Sequence, residues 1–239
     1  MKRNKRLTIF YYTVRITMII LIVASIISAI ISNDSTDVSR SIFVSLQAGI
    51  LLLLSYGPPT MERKLHLQIP DFLEGVFLVF IIAALIFGEI ADFFVTVSWW
   101  DDMLHTTSGI LVSIISFSII NTASKHPNIK ITLNPFFIAL FIFCFSMTVA
   151  VIWEFFEYTI DNLFPGSNMM RTYDTLNNVP FTGLFAVRDT IHDLMLASTS
   201  SIAISTIAYF DAKHGFKCIN KWLISPESKI TDQNKQPNK

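Results

Sequence analysis

The sequence predicts an all-α, polytopic membrane protein that folds as a bundle of about six transmembrane helices. Of the 239 residues, 52% are hydrophobic, only 15% are charged and 21 are Phe. Together with a mean hydropathy of +0.53, this composition exceeds what a soluble domain of this size normally carries. The long apolar runs are the third observation, because a bilayer core of about 30 Å needs about 20 apolar residues per helix.

Six segments meet this length requirement and are expected to span the membrane. They are Leu7 to Ile31, Val38 to Tyr56, Phe72 to Ile90, Asp101 to Ile120, Pro135 to Tyr158 and Asp189 to Phe210. The first has the basic head of a signal peptide, but its apolar part is too long for one, so we expect an uncleaved span. The second stops at Gly57-Pro58-Pro59, which we expect to break the helix.

Residues 1–210 are expected to form the six-span domain, and residues 211–239 a polar cytoplasmic tail. Lys and Arg concentrate in the loops on one side of the predicted bundle. The positive-inside rule makes that side cytoplasmic and places both termini there. The predicted location is the bacterial plasma membrane, with the lipid bilayer as partner and no nucleic-acid partner.

Acidic residues concentrate on the opposite, outer side of the predicted bundle. Acids have little influence on topology, so this asymmetry needs a separate cause. Residues three or four apart share one face of a helix. This spacing relates Asp101 and Asp102 to His105 on the fourth span, Glu154 to Glu157 and Asp161 on the fifth, and Asp189 to Asp193 on the sixth.

If these three faces converge, the repulsion between their carboxylates needs a cation or shared protons. Helical bundles build metal sites from acids and histidines in this way, and ligands of this kind suit Zn, Mn, Fe or Mg. Asp101 or Asp189 can orient a ligand. We predict a divalent metal site held by His105, Glu154, Glu157 and Asp193, with Asp101, Asp102 and Asp189 as catalytic residues.

The alternative is that these acids only cap helices or face interfacial water. Asp101, Asp102 and Asp189 each begin a predicted helix, where the helix dipole favours an acid. Glu154 and Glu157 end theirs, where the dipole disfavours acids, so this pair favours a functional cluster.

The outer segment from Thr159 to Arg188 connects the fifth and sixth spans. A segment of this length is either a lid over the acids or an ordinary interfacial loop. Arg171 and Arg188 are the basic residues near the acids, and either pair with them or hold an anionic substrate group.

The order of these motifs resembles a known family. Asp101 and His105 in WDDMLH are followed by Glu154 and Glu157 in WEFFEY, by Asn168 and Met169, and by Asp189, Thr190 and Asp193 in DTIHD. This order is similar to that of the uncharacterised bacterial membrane family typified by YjdF, from the third span to the sixth. The resemblance implies a multi-span fold and these positions, without a mechanism.

A more distant similarity is to the VanZ-like family, which is associated with teicoplanin resistance. Its spans carry a DKxxH start, a later acid and a closing aspartate, which match Asp101, His105, Glu154 or Glu157, and Asp193. Asp102 stands where that pattern has lysine, which inverts the local charge.

Three functions are consistent with the sequence. The first is a metal-dependent enzyme that acts on a lipid or a lipid-linked cell-envelope intermediate at the outer leaflet. The second is a non-catalytic scaffold or antibiotic-resistance-type protein. The third is a proton- or cation-coupled transporter, which ranks below the others because midplane stretches such as FIALFIFCFSMTVAV carry no charge. The chain has no P-loop, GxSxG or HExxH motif, which disfavours ATP-driven transport, serine hydrolysis and zincin proteolysis.

Overall fold

The computed structural model describes residues 4–65, 67–124, 133–163, 167–174, 177, 179–214 and 225–226. A π-helical segment, Ala83–Ile90, continues α4, and a short 3-10 helix, Gly183–Val187, leads into α8. The α-helices are α1 Lys5–Ile31, α2 Ser35–Leu54, α3 Gly57–Leu65, α4 Asp71–Ile82, α5 Phe93–Thr96, α6 Trp100–Ser124, α7 Pro135–Leu163 and α8 Arg188–Lys213.

Two antiparallel pairs of very short strands join parts of the loops. β1 (Leu67–Gln68) pairs with β4 (Ser225–Pro226), and β2 (Tyr173–Asp174) pairs with β3 (Val179–Pro180). The second pair lies in the segment between α7 and α8.

Within the described residues, six helical stretches are long and apolar enough to cross a membrane, which confirms the all-α, multi-span fold. They are Lys5–Ile31, Ser35–Lys64, Asp71–Gly88, Trp100–Asn121, Pro135–Leu163 and Gly183–Lys213. The cytoplasmic placement of the termini and the division at residue 210 stay predictions. Most of the predicted tail, residues 215–224 and 227–239, lies outside the described residues.

The expected break at Gly57-Pro58-Pro59 is only local. The chain turns at Ser55 and Tyr56, and the helix resumes at Gly57. Prolines are tolerated there because the amide N–H groups of a first helical turn need no helical partner. Arg15 of α1 holds the turn, donating to the Ser55 carbonyl at 2.9 Å and lying 3.8 Å from the centre of the Tyr56 ring.

The helices that carry the predicted site also differ at their ends from the sequence prediction. α7 continues to Leu163, five residues beyond the predicted end at Tyr158, so Asp161 is helical.

At the start of the π-helical segment, the Trp100 indole N–H donates to the Ala83 carbonyl at 3.2 Å. This bond joins the π-helical segment to the beginning of α6.

α6, α7 and α8 pack against one another and are drawn close by small residues. A Cβ added at Gly109 of α6 would lie 2.8 Å from the Ala197 carbonyl oxygen and 3.1 Å from the Ala197 Cα of α8. One turn further along both helices, the Ser113 hydroxyl donates to the Ser201 hydroxyl at 3.0 Å. Small residues permit this approach of helices in membranes. One turn back from Gly109 and Ala197 stand His105 and Asp193.

Candidate functional site

His105 lies between carboxylates from two helices. Its Nε2 atom is 3.5 Å from Asp101 Oδ1, one turn back on α6, and 3.8 Å from Asp193 Oδ2 on α8. All three side chains are buried, and one candidate ligand atom of each lies within 4.8 Å of those of the other two. The distances exceed an ordinary hydrogen bond, so these three residues, the inner group, are close without being tightly bonded.

α7 adds two buried glutamates, Glu154 and Glu157, one turn apart. Glu157 accepts a hydrogen bond from the Trp153 indole N–H at 2.8 Å. Glu154 interacts with the Thr190 hydroxyl, although neither of its carboxylate oxygens makes a hydrogen bond of ordinary geometry to a described residue. Glu154 lies close enough to His105 and Asp189 to act on them electrostatically. The glutamates therefore border the inner group, although neither belongs to a set of ligand atoms within 4.8 Å.

Arg171 reaches the acids from the loop between α7 and α8. Its guanidinium lies 3.5 Å from Asp101 Oδ2 and 3.7 Å from Asp189 Oδ1, and it donates to the Phe94 carbonyl at 3.3 Å. For Arg171, the structure thus favours pairing with the acids over holding an anionic substrate group. Arg188 is exposed at the start of α8.

Asp161 fixes the loop that carries Arg171. Its carboxylate accepts hydrogen bonds from the Ser167 hydroxyl at 2.8 Å and from the backbone amides of Met169 at 2.9 Å and Met170 at 3.0 Å. Asn168 adds two hydrogen bonds to the backbone of Tyr173. Arg171 has a positive φ of 46°, a conformation that is uncommon for a side-chain-bearing residue. Arg171 brings this loop into contact with Asp101 and Asp189, while the lid and the ordinary interfacial loop both stay predictions.

A second pair lies beside the inner group. His192 Nδ1 on α8 is 3.4 Å from Asp102 Oδ1 on α6, and both side chains are about half exposed, at 52% and 44%. Together with Asp193 they form a second set of candidate ligand atoms within 4.8 Å of one another. Asp193 therefore belongs to both sets.

An apolar cavity of about 170 Å³ adjoins the inner group. The ionisable residues at its border are Asp101, His105 and Glu157. Its other walls come from α4, the π-helical segment, α6, α7 and α8, with Phe80, Ala84, Leu104, Val112, Val149 and Ala197 among them. The arrangement places hydrophilic groups at the border of a space suited to an apolar chain.

The structure brings most of the residues predicted from the sequence into one region. His105 and Asp193 share the inner group with Asp101, while Asp102 pairs with His192 instead. Their metal-binding and catalytic roles stay predictions. The remaining predicted residues border the inner group, namely Glu154, Glu157 and Asp189.

Sequence reasoning missed the contributions of Gly109, Asp161 and His192. Gly109 lies about one helical turn after His105. A small residue on the same face as an ionisable one could have indicated that another helix approaches closely there. His192 precedes Asp193 in DTIHD and lies about 100° around the helix from it, so spacing along one face did not include it. The anchoring role of Asp161 had no local signal, because it depends on the path of the following loop.

The fold and these buried ionisable groups define a multi-span membrane protein with a polar cluster between its helices. The chain belongs to the family described as "Predicted membrane protein (DUF2238)", which matches residues 13–214. This membership agrees with the multi-span family expected from the motifs, while the narrower YjdF and VanZ-like resemblances stay predictions. Comparisons with curated proteins and with solved structures gave no match.

Proposed function

We propose that this protein is a metal-dependent membrane enzyme that acts on a lipid or a lipid-linked cell-envelope intermediate at the outer leaflet. One observation carries the proposal: the buried inner group of Asp101, His105 and Asp193 adjoins an apolar cavity between membrane-spanning helices. Oxygen and imidazole ligands next to an apolar space suit a cation that acts on the polar end of a lipid.

The charge balance of the cluster supports a bound cation. Within the described part of the chain, the carboxyl groups there outnumber the basic groups Arg171 and His105, since they are Asp101, Glu154, Glu157, Asp189 and Asp193. A buried carboxylate without a partner costs several kcal/mol, by order of magnitude. The oxygens of Asp193 have no hydrogen-bond partner among the described residues, and their contact with His105, at 3.8 Å, is longer than a hydrogen bond. A divalent cation offsets this cost directly.

The proposed ligands are Asp101, His105 and Asp193. They replace the predicted set of His105, Glu154, Glu157 and Asp193, because the two glutamates only border the group. This assignment moves Asp101 from the catalytic set into the ligand set. Asp189, which Arg171 holds, orients the surrounding groups. A cation here would activate water or polarise a phosphate or carbonyl oxygen of the substrate.

Arg171 provides a second recognition element in this proposal. It is paired with Asp101 and Asp189 in the structure. If Asp101 held a cation, its pairing with Arg171 would weaken, and the guanidinium would be available to an anionic group of the substrate. The apolar chain of the same molecule occupies the cavity.

The test uses purified full-length protein in vesicles of phosphatidylethanolamine and phosphatidylglycerol that contain a polyprenyl phosphate. The protein is incubated with Mn²⁺, and the lipids are analysed by mass spectrometry. We expect a product that EDTA abolishes and that the Asp193→Asn variant does not form. The matched control is Asp37→Asn, which changes an exposed acid in the first turn of α2.

Turnover that survives both EDTA and Asp193→Asn would contradict the metal-dependent enzyme. Absence of turnover, combined with Asp193-dependent co-purification of an envelope-synthesis enzyme, would favour the scaffold instead.

A further inference from the structure

We propose that Asp193 bridges two metal ions, with the second ion held by Asp102 and His192. This inference rests on the proposed function for the first ion, which Asp101 and His105 bind. It extends that function from a mononuclear centre to a two-metal centre built by three residues of α6, Asp101, Asp102 and His105, and two of α8, His192 and Asp193.

The geometry supplies matched ligand sets on the two helices. Successive residues of a helix point about 100° apart. Asp101 and Asp102 therefore diverge on α6, and His192 and Asp193 diverge on α8. Two contacts join these helices. His105 of α6 lies near Asp193 of α8, and His192 of α8 lies near Asp102 of α6. In each set, the three candidate ligand atoms lie within 4.8 Å of one another.

The surroundings of Asp193 also indicate that it binds a ligand. Its side chain is only 2% exposed, yet neither oxygen has a hydrogen-bond partner within the described ranges. Its recorded ion pair, with His105, uses Oδ2 at 3.8 Å, which leaves Oδ1 for a second partner. A carboxylate with two oxygens and no hydrogen bonds, common to both ligand sets, suits a bridging ligand.

The two ions would differ in access to solvent. The inner group is buried, whereas His192 and Asp102 are about half exposed. The outer ion therefore keeps open positions for water and substrate, and it exchanges more readily. Paired metal ions about 3.5–4 Å apart stabilise both the attacking and the leaving oxygen of an in-line displacement. This chemistry points to a phosphorylated lipid as the substrate. The water oxygen would form a bond to phosphorus as the bond between phosphorus and the ester oxygen breaks. The proton that water loses would pass to the departing ester oxygen, which gives a lipid alcohol and phosphate.

The experiment measures Mn²⁺ bound to purified, metal-stripped full-length protein in detergent. Elemental analysis gives the stoichiometry, and electron paramagnetic resonance detects coupling between neighbouring ions. We expect two Mn²⁺ per chain with a coupled signal. His192→Gln and Asp102→Asn each reduce this to one uncoupled ion, and these exposed positions make unfolding a poor explanation. His214→Gln, which changes an exposed histidine just after α8, is the control and leaves two.

The outcomes separate the two proposals. One Mn²⁺ per chain in the parent, unchanged by His192→Gln but lost in His105→Gln, would overturn the two-metal centre and leave the proposed function standing. Two ions that persist in His192→Gln would likewise overturn the bridging assignment. No bound Mn²⁺ at all would overturn both.

Discussion

Replacing Gly109 with alanine tests how the bundle sets the distance between His105 and Asp193. The added Cβ would lie 2.8 Å from the Ala197 carbonyl oxygen, whereas ordinary van der Waals contact begins at 3.4 Å. The backbones of α6 and α8 must therefore separate by about 0.6 Å, the difference between these two distances. The nearest atom, Ser200 Oγ, can move away by side-chain rotation, but the Ala197 carbonyl oxygen belongs to the backbone, so rotation of a side chain does not relieve that contact.

Such overpacking costs about 1–3 kcal/mol, which lowers the melting temperature of a chain of this size by roughly 2–12 °C. Since the contact is one turn from His105 and Asp193, we also expect weaker Mn²⁺ binding. Thermal unfolding in detergent, followed by size-exclusion chromatography, measures the first effect, and equilibrium dialysis with Mn²⁺ measures the second.

Gly49→Ala in α2 is the matched control, because a Cβ there has no atom within 4 Å. Alanine favours the helix over glycine by roughly 0.5–1 kcal/mol, so this variant should melt slightly higher. If Gly109→Ala melts and binds Mn²⁺ as the parent does, the close approach of α6 and α8 does not set the site geometry.

Three further substitutions test the contacts that support the site and the fold. Asp161→Ala removes three hydrogen bonds to the loop that follows α7. Amide hydrogen exchange in that loop should therefore accelerate while the helices stay protected. Unchanged exchange in the loop would contradict the anchoring role of Asp161. Arg15→Ala removes charged hydrogen bonds and a ring contact and should destabilise the fold by about 1–3 kcal/mol. Arg40→Ala breaks the exposed ion pair between Arg40 and Asp92 and should cost less than about 1 kcal/mol. Equal losses in melting temperature would refute this difference. Trp153→Phe leaves the buried Glu157 carboxylate without its indole donor and should also lower the free energy of unfolding by about 1–3 kcal/mol. Trp99→Phe changes an exposed ring and should leave the melting temperature unchanged in the same assay.

The positions of the spans follow from the sequence because length and apolar content decide whether a helix can cross a bilayer. Local interruptions were harder to predict, since they depend on residues from elsewhere in the chain. The turn at Ser55 is stabilised by Arg15 of another helix. The π-helical segment receives a hydrogen bond from Trp100. Neither contact can be deduced from the sequence of the interrupted helix alone.

The candidate site was predictable only within each helix. A spacing of four residues on α6 put Asp101 and His105 on one face, and the structure has them 3.5 Å apart. Which face of α8 meets them depends on helix rotation, and here the close contact between Gly109 and Ala197 is consistent with the observed rotation. The placement of Arg171 depends on a loop whose path has no periodic signal.

The most direct test of the account is anomalous diffraction from crystals of the full-length protein grown with Mn²⁺. The account predicts an anomalous peak between the carboxylates of Asp101 and Asp193 and the imidazole of His105. A protein with well-ordered side chains in this cluster and no anomalous peak there, at saturating Mn²⁺, would contradict it, because the acids would then be held by shared protons and by Arg171 alone.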